Sequence, residues 1–263
     1  MKNYSDNEIL ELICSAEREA AELILQAKHV ISESKSSGRD IVTQYDRKVQ
    51  ELLVSRFSAT VEGARFFCEE NDQQGELNAE HVFIIDPIDG TMNFVRQFNH
   101  SCISVAYMSR GQLRAAAIYN PYMDEMFSAV LGEGAKLNGR AIHAADCGLS
   151  DAVVCCGTSP YFPQLADRGF ALMKEVFLNS LDLRRQGSAA LDLCSAASGR
   201  AGLYFELNTS LWDYAAGLLI VQEAGGLCLT CEGEAMPLDG SKSSVAAGSK
   251  KAVEDFLAIA KRI

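Results

Sequence analysis

The sequence predicts a mixed α/β protein, two layered lobes sharing one core. Between Phe66 and about Val130 it reads as short β-rich segments parted by turns. From Ala152 onward, strand-like and helix-like segments alternate. With 263 residues, 48% of them hydrophobic, the chain can bury a substantial core. We expect one unit over 1–263, with a first lobe over 1–145 and a second over 146–263.

Ser5 and Glu8 stand at the spacing of a capping box. Ile9, Ile13, Ala16, Ala20, Leu23, Ala27 and Val30 then recur every three or four residues, which predicts a helix. The polar stretch 32–38, with Lys35 inside it, predicts a flexible loop. A second helix is expected over about 43–57, with Val49, Leu52, Leu53 and Phe57 on one face. Strands follow at 82–85, 101–108, 113–119 and 125–130, with turns at 111–112 and 120–124. Gly132, Gly134 and Gly139 punctuate a loop region. The second half then predicts strand 152–156, helix 165–178, strand 181–185, helix 188–198, strand 202–206, helix 213–224, strands near 226–230 and 244–247, and helix 250–261.

Charge narrows the function. Lys and Arg number 24 against 35 Asp and Glu, a formal net charge of −11. A dedicated nucleic-acid binder needs a basic face, and so does a protein of anionic membrane surfaces, so neither partner is expected. Segment 1–6 has no apolar run after its single Lys, so no signal peptide is read. No apolar stretch approaches the roughly 18 residues of a spanning helix. Nine scattered Cys, with Cys155 and Cys156 adjacent, fit reduced thiols in a cytoplasm better than a disulfide scaffold. Cys228 and Cys231 form one Cys-x-x-Cys pair, read as core or turn residues, with a redox pair as the other reading. A zinc site would want a second pair or a nearby His.

The most informative stretch is 82–93, VFIIDPIDGTMN. An apolar strand should end at Asp86, because Pro87 has no N–H to continue a ladder. Asp89 and Gly90 would turn, and Thr91 would start a helix. Carboxylates at the carboxyl end of a strand occupy a common place for ligands in α/β proteins. Amides of Gly90 and Thr91 at a helix start suit a phosphate. Carboxylates beside an anion make sense with a hard divalent cation such as Mg2+ between them. The plainer reading is a turn capped by Asp86. Trp212 and Asp213 open an apolar helix, where Asp213 is either an N-cap or a metal ligand. Trp212, the only Trp, would wall that junction. Glu69 and Glu70 follow a short β-rich run and, alone, read as surface charge. In 40–46, DIVTQYD, Thr43 and Asp46 have capping-box-like spacing, and Asp46 serves equally as cap or general base.

In this order, segment 40–46, the Glu69 and Glu70 pair, segment 86–93 and segment 212–226 resemble the inositol monophosphatase family, the lithium-sensitive sugar and nucleotide phosphatases. The likeness runs from about Lys35 to the last helix. It implies a layered α-β-α-β-α sandwich of the sugar phosphatase type, a homodimer, and Mg2+-dependent hydrolysis of a small-molecule phosphate ester. Residue by residue, it implies Glu69 and Asp86, with the carbonyl of Ile88, as ligands of a first Mg2+. Asp86, Asp89 and Asp213 are implied at a second, and a weaker third ion would lean on Glu69 and water. Asp46 and Thr91 are implied as the pair that orients and deprotonates water. Gly90 and Thr91, with Asp89, are implied at the phosphate. Two positions depart from the family pattern: Cys68 stands where Gly is frequent and Met92 where a second Thr is frequent.

Glu206, seven residues before Asp213, is implied to face the alcohol part of the ester; otherwise it is a rim carboxylate. Gly187, Ser188 and Ala189 match a family element lining the same pocket. Arg184 or Arg185 either pairs with a second phosphate or is a surface charge on an edge strand. The leading expectation is an inositol-1-phosphate phosphatase. Fructose-1,6-bisphosphate, adenosine 3′,5′-bisphosphate, histidinol phosphate and NADP are alternative substrates. A metal-stabilised interaction protein without turnover is the alternative of another class.

Overall fold

The apolar repeat of the first segment closes into helix α1 (Asp6–Leu25), entered through the Ser5–Glu8 capping box. In this computed structural model, residues 4–34, 41–70 and 74–263 are described. Lys35 and Asp40 lie outside them. Helix α1 ends earlier than its apolar spacing suggests. His29 takes a φ of 54°, which a right-handed helix does not accommodate, so Ala27 and Val30 pack from beyond the helix end. Residues 32–34, expected in a flexible loop, instead form strand β1 (Ser32–Ser34), antiparallel to β2 (Ile41–Thr43). Their backbone groups find ladder partners there, which composition alone does not reveal. Helix α2 (Gln44–Thr60) follows directly, capped by Thr43.

Strands β3 (Arg65–Cys68) and β4 (Val82–Asp89) come next, then the short helix α3 (Thr91–Val95). Five more strands follow: β5 (Cys102–Ser109), β6 (Gln112–Asn120), β7 (Glu125–Val130), β8 (Ala135–Leu137) and β9 (Arg140–Ala141). Together β3 to β9 make one seven-stranded sheet in chain order. Only the β3–β4 pair is parallel. The glycine-punctuated stretch expected as loop therefore holds two short strands, and its glycines mark the turns between them.

The second half alternates as its sequence suggests. It gives β10 (Val153–Cys156), α4 (Ala166–Leu178), β11 (Asp182–Arg184), α5 (Ala189–Ala197), β12 (Leu203–Thr209), α6 (Leu211–Glu223), β13 (Leu227–Leu229), β14 (Ser243–Gly248) and α7 (Lys250–Ala260). Its five-stranded sheet has the order β11-β10-β12-β14-β13. The first three are parallel and the last two antiparallel to their neighbours.

Packing stacks these elements in five layers, the α-β-α-β-α order. Helices α1 and α2 cover one face of the larger sheet, α5 and α6 lie between the sheets, and α4 and α7 cover the far face of the smaller one. Side-chain alternation along each strand fixes this. Phe83 and Ile85 of β4 face α1 and α2, while Val82 and Ile84 face the central helices. In β10, Cys155 points to the central layer, and Val154 and Cys156 to the outer one. Helix α6 is apolar all round because it meets both sheets. Cys228 and Cys231 are buried core residues, and burial pushes both thiols up to about 12. No helix among the described residues is long and apolar enough to cross a membrane. One core residue breaks the pattern. Glu17 of α1 is fully buried, and neither carboxylate oxygen has a hydrogen-bond partner.

Candidate metal and phosphate site

Strand β4 does not stop at Asp86 as expected from Pro87; it continues to Asp89 through a bulge. Asp86 pairs with Ser104 and Asp89 with Cys102, so three steps on one strand oppose two on the other. Pro87 sits inside that extra residue's slack, where a missing N–H breaks no ladder bond. The bulge matters to the site. Residues three apart on a regular strand point to opposite faces. Here the slip brings Asp86 and Asp89 to the same place, where Asp213 joins them. The three offer carboxylate oxygens within 4.8 Å of one another.

Asp86 Oδ1 accepts from the Ile88 N–H of its own strand at 3.1 Å, whereas Asp213, Asp46 and Asp89 are each steered by a helix start. Asp213 was expected at the first position of its helix; it is instead at the third, and Ser210 is the cap. Ser210 N–H donates to Asp213 Oδ2 at 2.6 Å. Asp46 repeats the device on α2. Thr43 N–H and Oγ1–H donate to its Oδ2 at 2.8 and 2.5 Å. Its other oxygen, Oδ1, accepts from Thr91 Oγ1 at 3.4 Å. The capping reading and the functional reading of Asp46 thus use different oxygens. Asp89 Oδ2 accepts from Ser188 Oγ and from Ala190 N–H (2.8 Å) at the start of α5. Ser188 also caps that helix, accepting from Leu191 N–H.

Electrostatics follow from burial. Asp86 is 2% exposed, and its pKa is pushed well above the usual carboxylate range, by burial first and then by Glu69, Asp89 and Asp213. Burial also raises Asp213, with Asp89 the next cause. Asp89 is raised by burial too, against the opposing pull of Ser188 and Ala190. So many buried acids resist ionising together. A hard divalent cation is the group that would let them, and an all-oxygen donor set fits Mg2+.

Glu69, half-buried at the end of β3, lines the same cleft. Cys68 in place of Gly leaves this strand end well held. Its backbone N–H donates to Gln74 Oε1 at 2.9 Å, and its carbonyl accepts from Gln74 Nε2 at 2.6 Å. Met92 is exposed on the cleft. Gly90 takes a φ of 87°, and a Cβ there would press on the carbonyl oxygens of His100 and Gly187. Thr91 Oγ1 also reaches the Ile88 carbonyl at 3.1 Å. Trp212 packs against Phe67, ring centroids 5.7 Å apart, and walls the cleft.

The cleft, about 620 Å³, gathers Glu69, Asp86, Ile88, Asp89, Gly90, Thr91, Gly187, Ser188, Ala189, Glu206 and Asp213. Asp46 sits behind Thr91. Glu206 is tied into one wall: it accepts from Ser159 N–H (2.7 Å), Ser159 Oγ (3.2 Å) and Tyr204 Oη (2.9 Å). Arg184 pairs with Asp182 at 2.5 Å on the edge strand β11, whereas Arg185 lines the cleft. Ser159, Asp192 and Lys242 also line it and were missed in the sequence. Segment 157–162 carried only a turn composition, and Asp192 sat unremarked inside a helix pattern.

The model of the inositol monophosphatase family matches residues 5–263. The putative Nus factor SuhB of Neisseria meningitidis serogroup B is 34% identical over 232 residues, 87% of this chain and 89% of that protein. The inositol-1-monophosphatase of Mesorhizobium japonicum is 37% identical over 213 residues, 80% of this chain and 79% of that one. The crystal structure of an IMPase/NADP phosphatase complexed with Mg2+ and phosphate has a TM-score of 0.87 to this fold. Its identity is 25%, covering 97% of this chain and 95% of that one.

Proposed function

The chain belongs to the inositol monophosphatase family, and on that premise we propose that it is a Mg2+-dependent phosphomonoesterase of a small phosphorylated polyol, inositol-1-phosphate foremost. It acts as one unit over 1–263, the first lobe (1–145) bringing most metal ligands and the second (146–263) Asp213 and the substrate side. It works as a cytoplasmic homodimer. The observation that carries the reading is the Asp46–Thr91 contact beside the carboxylate triad, since a binding module has no use for a base there.

Glu69, Asp86 and the Ile88 carbonyl would hold one Mg2+, and Asp86, Asp89 and Asp213 a second, with a weaker third on Glu69. Bound Mg2+ supplies the positive charge that makes water nucleophilic near neutral pH and offsets charge on the leaving oxygen. Thr91 Oγ1 accepts the proton of the attacking water as it passes its own to Asp46 Oδ1. The backbone amides of Gly90 and Thr91 hold the phosphate in line. Gly187, Ser188 and Ala189 shape the polyol side. Glu206 already accepts three bonds, and a carboxylate has about four acceptor sites, so it retains one for a substrate hydroxyl.

The test is phosphate release with Mg2+, with and without Li+, from inositol-1-phosphate, fructose-1,6-bisphosphate, adenosine 3′,5′-bisphosphate, histidinol phosphate and NADP. Release from the first, inhibited by Li+, supports the reading. Release from none supports the second reading, a metal-stabilised interaction protein, which the Nus factor name of the Neisseria relative favours.

A further inference from the structure

The side-chain amide of Asn93 joins the two lobes across the cleft. Asn93 is the third residue of the short helix α3, two past Thr91, and is 8% exposed on the cleft wall. Its Nδ2 donates to the His100 carbonyl at 2.8 Å and to the Gln186 carbonyl at 2.8 Å. His100 stands just before β5 of the larger sheet. Gln186 stands immediately before Gly187, Ser188 and Ala189, the element that shapes the polyol side. Two carbonyls at this range fix which end of the amide is nitrogen, and they engage both of its protons.

The backbone around this amide has little slack. A Cβ on Gly90 would lie 3.1 Å from the same His100 oxygen and 3.2 Å from the Gly187 oxygen. A Cβ on Gly187 would lie 3.2 Å from Asn93 Nδ2 and 2.6 Å from Arg185 Nη1. The phosphate cradle at Gly90 and the polyol side at Gly187 thus meet backbone to backbone, and Asn93 fastens them there. Gln186 is itself anchored in the second lobe. Its Nε2 donates to Asp192 Oδ1 at 3.3 Å and to Cys155 Sγ at 3.5 Å. Asp89 also reaches across, to Ser188 and Ala190, but the proposed metal centre shares that carboxylate. Asn93 is neutral, so its hold needs neither a cation nor a particular protonation state.

We propose that Asn93 is a positioning residue: it sets the polyol side of the cleft at its working distance from the reacting phosphate, so that contacts to the alcohol's hydroxyls are converted into rate. The proposal rests on the phosphatase reading and adds a residue to it. Asn93 does not bind the phosphate itself. Both amide protons are engaged, and the remaining Oδ1 is an acceptor, which phosphate oxygens repel. Contacts remote from the reacting atoms raise the rate only while the geometry between the two is held. An ester whose alcohol carries no hydroxyl makes none of those contacts, so it should be indifferent to the clamp.

Steady-state kinetics on the full chain with Mg2+, normalised to the folded fraction, compare inositol-1-phosphate with 4-nitrophenyl phosphate, which brings a phosphate but no hydroxyl. Asn93→Ala should lower kcat/KM for inositol-1-phosphate about ten- to a hundredfold, the scale of a small misplacement, and change 4-nitrophenyl phosphate by less than about twofold. Asn93→Asp keeps the shape and the acceptor but removes both donors, and should lose as much. Gln186→Ala loosens the anchor with Asn93 in place; it should show a smaller loss with the same preference, and it keeps the proposal refutable if the Asn93 variants do not fold. Equal losses on both esters would make Asn93 a merely structural residue and overturn the proposal. A wild-type preference in Asn93→Asp would assign the role to Oδ1 as a direct hydroxyl acceptor, which overturns it too. Amide hydrogen exchange separates the clamp from the phosphatase reading, since Asn93→Ala should speed exchange in segments 98–101 and 186–190 together. Faster exchange in both segments, with no turnover of either ester by the wild type, keeps the clamp and removes the phosphatase. Wild-type turnover, with preference and exchange unchanged in the variants, does the reverse.

Discussion

Replacing Asp46 by Asn separates two tasks that one carboxylate performs with different oxygens. Oδ2 closes the α2 capping box with Thr43, and Oδ1 faces Thr91 Oγ1 at 3.4 Å. Asn can present its one side-chain oxygen to Thr43, so the cap keeps both bonds and loses only their charge. That costs about 0.5–1 kcal/mol, a fall in Tm of roughly 1–4 °C for a chain of this size. The amide nitrogen then faces Thr91 and cannot take a proton, so kcat should fall about 10²- to 10⁴-fold. Thr43→Ala is the mirror experiment. It removes the Oγ1 donor to Oδ2 but keeps the backbone N–H donor, costs about 1–2 kcal/mol, and leaves the Thr91 contact in place. The assay is phosphate release at saturating Mg2+, normalised to the folded fraction from a denaturant melt of the same sample. Asp46→Asn with near-normal kcat and a lowered Tm would show that Asp46 is a cap alone. Parallel losses of rate in both variants would refute the division of labour between the two oxygens.

Asp213→Asn should lower turnover by two or more orders of magnitude, several kcal/mol of barrier, and weaken the Mg2+ dependence; normal activity at saturating Mg2+ would remove Asp213 from the centre. The same variant predicts a pH effect in a chelator. Burial holds Asp86, Asp89 and Asp213 above their ordinary 3.8, so the folded chain keeps protons that the unfolded chain releases, and stability falls as pH rises past that value. Chelated Asp213→Asn should therefore gain on wild type between pH 4 and 7, and a difference flat with pH would contradict this. Glu17, buried and without a partner, also has a pKa raised by burial. Glu17→Gln should stabilise by about 1–3 kcal/mol at pH 8 and hardly at pH 4, read by urea melts; equal effects at both would mean Glu17 is not ionisation-limited. Gly157→Ala would place a Cβ 1.8 Å from Glu206 Oε2, so KM for the ester should rise with little change in the Asp46→Asn rate defect; an unchanged KM would take Glu206 out of substrate binding.

The sheets and most helices were legible because their apolar periods are strong, and each strand buried on both faces reads as a near-continuous run, as β4 and β5 do. What was illegible depended on partners far along the chain. Strand β1 is polar and exists because β2 pairs with it. Pro87 looked like a stop, yet the register of β5, one residue short, turns it into a bulge. Asp86, Asp89 and Asp213 stood out by motif. Their convergence did not, because Asp213 arrives from the other sheet's side of the central layer. Arg185 and Arg184 looked alike in sequence; only the sheet edge and the gap over Gly187 tell them apart.

A common construction underlies three acids of this centre. Asp46 and Asp213 are each third residues of a helix whose capping box engages one oxygen, and Asp89 lends one oxygen to the start of α5. The N-terminal end of a helix carries partial positive charge, so three helix starts favour negative charge where burial opposes it. The bonded oxygen also fixes the rotamer, so the second oxygen is already aimed before any cation arrives. The order of these two effects is testable within the chain itself. If helix starts chiefly stabilise charge, Ser188→Ala should raise the Asp89 pKa further and weaken Mg2+ affinity only up to the Asp89 titration, the loss vanishing above it. If they chiefly aim the side chain, Mg2+ affinity should stay reduced even well above the Asp89 titration, where charge is no longer limiting. Because Ser188 both donates to Asp89 and caps α5, Ser188→Thr, which retains the hydroxyl, is the control that should restore either effect.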